Sequence, residues 1–394
     1  MAAKNSLSLN NLSRRRMLGV FAGVGAAGLA GCSVTSSDDP KSTVRLGLIA
    51  PLAGGPNKPV GADLEHGVKL YLQMRDGMMS GHPIELIIEE EGDTVESGIK
   101  ALESLHSKEV AAVIGIANPD LLPSVRDLVE KNRVPLLAAH GSSADMSSAI
   151  YIWRTAFVNN EPGQAVGLHL RAQGAQSVAL VSIDDKFGQD VIRGFQDRNS
   201  RAVMTEWLNP AIKAEPGAFA SAAARVKNSG ASDLFCWVPA THIVSFLTAL
   251  RSAGFNGRVF APGLSSESLT MQQLDAAQGL YTAMQYSSDL SNPSNRAFSA
   301  QFQAEHRRSP TAFAVAAYDA AAVVDSAIAL CLDETITPTL LNQQISSVGQ
   351  VVSPRGNWQF TQGRTPQQRW YLRQIRLDGT IWSNTLIGDL ATLG

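Results

Sequence analysis

Cysteine is scarce in this chain: three residues in 394, none in a Cys-x-x-Cys pairing. That argues against both a disulfide scaffold and a zinc site. The seven histidines are scattered, with no His-x-x-x-His spacing and no Glu-paired helix motif to hold a metal. Neither sign of charge is in excess. The 33 basic residues face 35 acidic ones for a formal charge of −2, which gives no hint of a nucleic-acid partner. The Gly/Ala-rich stretch 19–30 is too short to span comfortably as a mature anchor. With 44% hydrophobic and 17% charged residues, the chain is neither disordered nor a multispan membrane protein. Recognisable catalytic groupings are absent. Gly263-Leu264-Ser265-Ser266 lacks the closing glycine of a Gly-x-Ser-x-Gly elbow, so a hydrolase reading would need turnover of an ester or amide panel to revive it. Gly23-Val24-Gly25-Ala26-Ala27-Gly28 satisfies G-x-G-x-x-G, but neither a preceding strand nor the required acidic residue accompanies it.

What is present is organised around residues 44–56, VRLGLIAPLAGGP. An unalternating apolar run closed by Pro and a Gly pair suits a strand covered on both faces. Residues 61–72 resume as a helix, with Asp63 as its candidate cap and Leu64, Val68, Tyr71 and Leu72 on one face. Strand, Gly/Pro loop and helix open an α/β unit, and ligands of open parallel sheets bind beside such loops. An ordinary connector reads this stretch equally well.

Strands are expected at 84–89, 110–115 and 134–138, with helices at 97–107 and 121–132. The acidic run Glu89-Glu90-Glu91-Gly92-Asp93 reads as a solvated strand end rather than a metal site. Residues 151–155 look like a crossover, because the pattern then restarts. Strands at 177–182, 202–208, 233–238 and 259–261 alternate with helices at 162–173, 188–199, 216–228, 241–252 and near 269–277. Residues 279–285 read as a return crossing before two long helices, 294–307 and 312–332. Residues 356–360 and 369–376 alternate like a terminal hairpin. The length allows two domains, and the restart argues for two similar α/β lobes.

The N-terminus carries two stretches that resemble export signals. Ser13-Arg14-Arg15-Arg16-Met17-Leu18 resembles the twin-arginine motif, with Met17 where Phe is usual, and Leu29-Ala30-Gly31-Cys32 resembles a bacterial lipobox. The resemblance implies an export signal over 1–32, cleavage before Cys32 and lipidation of its thiol. Acyl chains then hold the protein at a membrane surface, each buried CH₂ contributing about 0.8 kcal/mol. Residues 33–42 are polar and serve as a flexible tether.

Leu46-Gly47-Leu48-Ile49-Ala50-Pro51-Leu52, Val113-Ile114-Gly115, Val134-Pro135-Leu136-Leu137, Trp153-Arg154-Thr155, Phe187-Gly188 and Ala316-Ala317-Tyr318-Asp319-Ala320 occur in an order and spacing that resembles one family. It is that of the type I solute-binding proteins of ABC transporters, the branch typified by leucine/isoleucine/valine-binding proteins. The resemblance implies the type I periplasmic-binding-protein fold, an α/β architecture of two doubly wound lobes joined by three crossovers. Lobe 1 would comprise 43–155 and 284–346, lobe 2 would comprise 156–283 and 347–394. It further implies a monomer that catalyses nothing and needs no cofactor, closes by its hinge on a small molecule, and delivers it to an ABC permease outside the cytoplasm. A ligand-sensing surface receptor or regulator on the same fold is the alternative.

Site residues carry over by motif. Ala117 and Asn118, with Pro119, fall where the family has a Ser-bearing loop that holds a ligand carboxylate. His140, Gly141 and Ser142 match its small-small-Thr loop. Phe187 and Phe313 match aromatics that line the ligand, while Leu52, Trp237, Gly263 and Tyr286 follow from position. One residue is conspicuously absent. Amino-acid binders of this branch carry an acid just before a Gly in the second lobe, and here that segment reads Phe260-Ala261-Pro262-Gly263-Leu264. A buried ammonium without a partner costs several kcal/mol, so a carboxylate, aromatic or amide compound is expected ahead of a free amino acid. Glu267 lies nearby, at an expected helix start.

Overall fold

The computed structural model describes residues 41–394 apart from positions 144, 145, 147, 216 and 333. Residues 1–32 with Cys32, positions 33–40 of the tether, and Pro216 at the expected start of a helix lie outside the described residues. Within one compact unit, Lys41–Gly394, the chain builds two sheets.

The first begins with β1 (Val44–Ala50), buried except at Arg45. α1 (Lys58–Gln73) follows, then β2 (Met78–Met79), β3 (His82–Glu90), α2 (Val95–Ser107), β4 (Ala112–Gly115), α3 (Leu121–Asn132), β5 (Leu136–Ala138) and β6 (Ile152–Arg154). The strand order is β2-β3-β1-β4-β5-β6, parallel apart from the β2 edge. Helix α1 starts earlier than the expected cap. Pro59 presets the first turn, and Asp63 sits inside the helix, pairing with Arg308 and accepting from the Thr311 hydroxyl at 2.6 Å.

After β6 the pattern restarts as α4 (Glu161–Ala172), β7 (Val178–Ile183), α5 (Lys186–Arg198), β8 (Ala202–Leu208), α6 (Ala220–Asn228), β9 (Asp233–Trp237), α7 (Ala240–Ser252), β10 (Arg258–Pro262), α8 (Met271–Ala276) and β11 (Tyr281–Met284). The expected return crossing 279–285 is therefore a strand, parallel to β10, before it is a crossing. In this sheet β8, β7, β9, β10 and β11 stand in that order, repeating β3, β1, β4, β5 and β6 of the first. The restart seen in the sequence is thus a repeat of topology.

The chain then returns to the first half as α9 (Pro293–His306), α10 (Ala312–Leu330) and α11 (Pro338–Ile345), and crosses back to end as β12 (Gln359–Phe360), β13 (Pro366–Asp378) and β14 (Ile381–Leu393). Three segments therefore cross between the halves. The long terminal hairpin is β13 with β14, both antiparallel, and not the expected pairing of 356–360 with 369–376; β12 contributes only a two-residue rung. α10 is mostly apolar and buried over most of its length, the mark of a core helix. Gly67 lets α1 approach it so closely that an added Cβ would lie 2.1 Å from the Ala314 carbonyl.

Candidate functional site

In both sheets the chain leaves the first strand to one side and returns on the other, so β1/β4 and β7/β9 are topological switch points, where crevices open at the carboxyl ends of strands. Most of the expected site residues stand on those ends. Leu52 follows β1, Ala117 and Asn118 follow β4, His140 to Ser142 follow β5, Phe187 opens α5 after β7, Trp237 closes β9, and Gly263 follows β10.

A chain of contacts joins them across the seam. From the first half, the His140 ring stacks on Phe313, centroids 5.2 Å apart and planes within 9°. Gly141 lies over the Phe157 ring, which an added Cβ would meet at 2.7 Å, so the loop tolerates no side chain there. Phe157 meets Phe187 edge to face at 6.5 Å, and Phe187 meets Trp237 the same way at 4.5 Å. Trp237 is fixed by its indole N–H, which reaches both Asp185 oxygens at 3.2 Å, and Asp185 also caps α5 by accepting from the Gly188 amide. The Ser142 hydroxyl is buried with no partner among the described residues, as a group awaiting a ligand would be. Burial holds the His140 imidazole below its usual range, against the pull of the Gly141 carbonyl, so the ring is neutral near pH 7.

The opposite flank is ionic. Arg373 on β13 donates to Glu267 at 2.6 Å, and the second Glu267 oxygen accepts the Ala312 amide at the start of α10 at 3.1 Å. Both side chains are nearly sealed from solvent. Glu267 follows β10 in the second half, whereas α10 packs on α1 in the first, so this carboxylate spans the seam. It sits at the N-terminus of α10, a helix away from the start the sequence suggested.

Four expected residues have other work. The amides of Ala117 and Asn118 both donate to Glu91, at 2.8 and 2.6 Å, and are not open to a ligand carboxylate. Tyr286 is buried in the second crossover, its hydroxyl donating to Asn295 at 2.8 Å, and burial pushes its phenol up. Gly263 packs on Arg373 and Met284, where a Cβ would meet both at 2.7 Å. Its role is to admit the guanidinium.

The acidic run is a strand end solvated only in part: Glu90 and Asp93 are exposed, whereas Glu91 is buried. Glu89 pairs with Lys108 and accepts from Ser104. Glu90 takes the amides of Leu52 and Ala53 at 2.9 and 2.8 Å, fixing the loop after β1. Glu91 is buried and fixes the loop after β4. Contacts that span 15 or more positions leave no local signal in a sequence, which is why these residues and the Glu267–Arg373 pair escaped it.

Both sheets thus place a switch-point crevice beside the seam that the aromatic and ionic contacts cross. The chain belongs to the periplasmic binding protein family, whose model, "Periplasmic binding protein", matches residues 43–380, and it has the type I fold of that family. Similar solved structures include an ABC transporter substrate-binding protein from Sphaerobacter thermophilus, with TM-score 0.81, 21% identity, 89% of this chain and 99% of that one. A solute-binding protein of an ABC transporter from Rhodopseudomonas palustris, in complex with p-hydroxybenzoic acid, matches at TM-score 0.79 and 21% identity, over 89% and 98%. The branched-chain amino acid transporter substrate-binding protein of Streptococcus pneumoniae, in complex with isoleucine, matches at TM-score 0.76 and 16% identity, over 88% and 99%. The Arabidopsis thaliana protein Glutamate receptor 2.1 is 23% identical over 126 residues, which are 30% of this chain; the chain spans 14% of that receptor's length.

Proposed function

We propose that this chain is the extracytoplasmic substrate-binding component of an ABC importer, lipidated at Cys32, and that it closes on a small aromatic carboxylic acid. The lobes of this reading are 43–155 with 284–346 and 156–283 with 347–394, hinged at the three crossovers. The observation that carries it is the aromatic path across the seam, from Phe313 and His140 to Phe187 and Trp237. A flat ring between such faces gains apolar burial and stacking from both halves only when they close, so binding shifts the population toward closure. The ligand's carboxylate would meet the Ser142 hydroxyl and the neutral His140 ring.

For an α-ammonium, in contrast, Glu267 is already neutralised by Arg373 and the α10 amide. The benzoate and hydroxybenzoate complexes among the similar structures support the same chemistry. A thermal-shift screen tests the reading. Benzoate, hydroxybenzoates and aryl amides should raise the melting temperature by mass action, whereas leucine, isoleucine and valine should not. A shift with the aliphatic amino acids alone would overturn it.

A further inference from the structure

Glu91 lies just beyond β3 and reaches the loop after β4, although β1 stands between those two strands. Its own amide donates to the Ala50 carbonyl at the end of β1, at 3.0 Å, and its carbonyl accepts from Ser97 in the first turn of α2. One residue thus ties together three strand ends at the first switch point. Its carboxylate is fully buried and is spent on two successive amides.

The loop it holds is strained. Ile116 adopts φ of 67°, a left-handed conformation that a β-branched side chain rarely takes. Gly115 before it has φ of 132°, with no room for a Cβ, which would lie 2.0 Å from the Ile49 carbonyl. Strain of this kind persists only where surrounding contacts enforce it. Here those contacts are the Ile116 amide to Ile49 at 3.1 Å and the two bonds to Glu91.

We propose that Glu91 is a positioning residue for ligand capture: its ionised carboxylate, by accepting both amides, holds the strained 116–118 loop in the shape the cleft requires. This rests on the cleft reading above and adds a control to it. A carboxylate accepts two amides at once, whereas a protonated carboxyl turns one oxygen into a hydroxyl and leaves one amide poorly matched. Burial is the largest influence on the group, and lifts it to about 7 even against the two amides. The charged groups acting on it are Glu90 and Asp93, both raising it. β1 presents the Ala50 carbonyl, α2 presents Ser97, and the β4–α3 loop presents the amides. Ligand affinity should therefore fall as pH drops through neutrality. With competence requiring the ionised form, binding at pH 6 should be roughly tenfold weaker than at pH 8.

The test is titration calorimetry with benzoate from pH 5.5 to 8.5 on the mature chain and on Glu91→Gln, alongside amide hydrogen exchange at Ala117 and Asn118. Glutamine keeps the shape but offers one acceptor, so the variant should bind weakly with a flat profile from pH 6.5 to 8.5. Its protection at the two amides should drop, while that of β1 and β4 stays. His140 also titrates in the cleft, but at lower pH and equally in both proteins. A variant that binds like the wild type with the same pH profile would overturn the proposal. If benzoate binds neither protein, the choice of benzoate has failed and exchange decides: unchanged protection in Glu91→Gln sinks the positioning role, and lost protection, reproduced in the wild type below pH 6.5, upholds it.

Discussion

At the scale of single residues, the proposed cleft is made by groups that each do one chemically simple thing. Phe313 offers a face, and the His140 ring lies parallel to it. Replacing Phe313 by Ala removes that face and unpins the imidazole. An aromatic pair contributes about 0.5–1.5 kcal/mol beyond its area, so affinity for an aromatic acid should fall by about two- to tenfold. Calorimetry on a variant with unchanged urea midpoint would check it, and an unaltered affinity would remove Phe313 from the site. The aromatic positions were legible in the sequence because they stand next to motifs of fixed order, such as Phe187 before Gly188. The carboxylates were not. Glu89, Glu90 and Glu91 look alike in a sequence, yet one pairs with Lys108, one holds the loop after β1 and one is buried. Direction of the side chain decides the role, and direction depends on strands that meet only after folding.

Elements tell a similar story. Strands covered on both faces announce themselves as predominantly apolar runs without strict alternation, as in β1, β7 and β9. Short or half-exposed elements do not. α11 has eight residues, and β14 is exposed or half-exposed along almost its whole length, so neither carried enough period to be read. The start of α1 was misplaced because Asp63 looks like a cap, while its carboxylate is drawn to Thr311 and Arg308 near the start of α10. The α1–α10 contact itself depends on Gly67. Gly67→Ala would put a Cβ against the Ala314 carbonyl, and overpacking of this kind costs about 1–3 kcal/mol. The urea midpoint should fall accordingly. No change would mean that the two helices can separate freely.

The whole molecule is held at its crossovers by buried charge. Asp319 in α10 pairs with Arg355 at 2.9 Å and accepts from Ser353 at 2.8 Å and the Trp358 indole at 2.9 Å, all three in the last crossover. Arg355 also donates to the Ala156 carbonyl in the first crossover, at 3.3 Å. The Asp319–Arg355 pair is sealed from solvent. Asp319→Ala would strand a buried guanidinium, and breaking such a pair costs about 3–5 kcal/mol. Chemical denaturation should show that loss. A loss below about 1 kcal/mol would show that the pair is not fully desolvated.

Two repeated sheets joined at three crossings should pivot on this charged knot when a guest is gripped from both sides. Small-angle X-ray scattering of the mature chain, with and without saturating benzoate or 4-hydroxybenzoate, measures that most directly. The radius of gyration should fall with an aromatic acid and stay put with leucine. A profile unmoved by every aromatic acid, or one that contracts with leucine alone, would contradict the account.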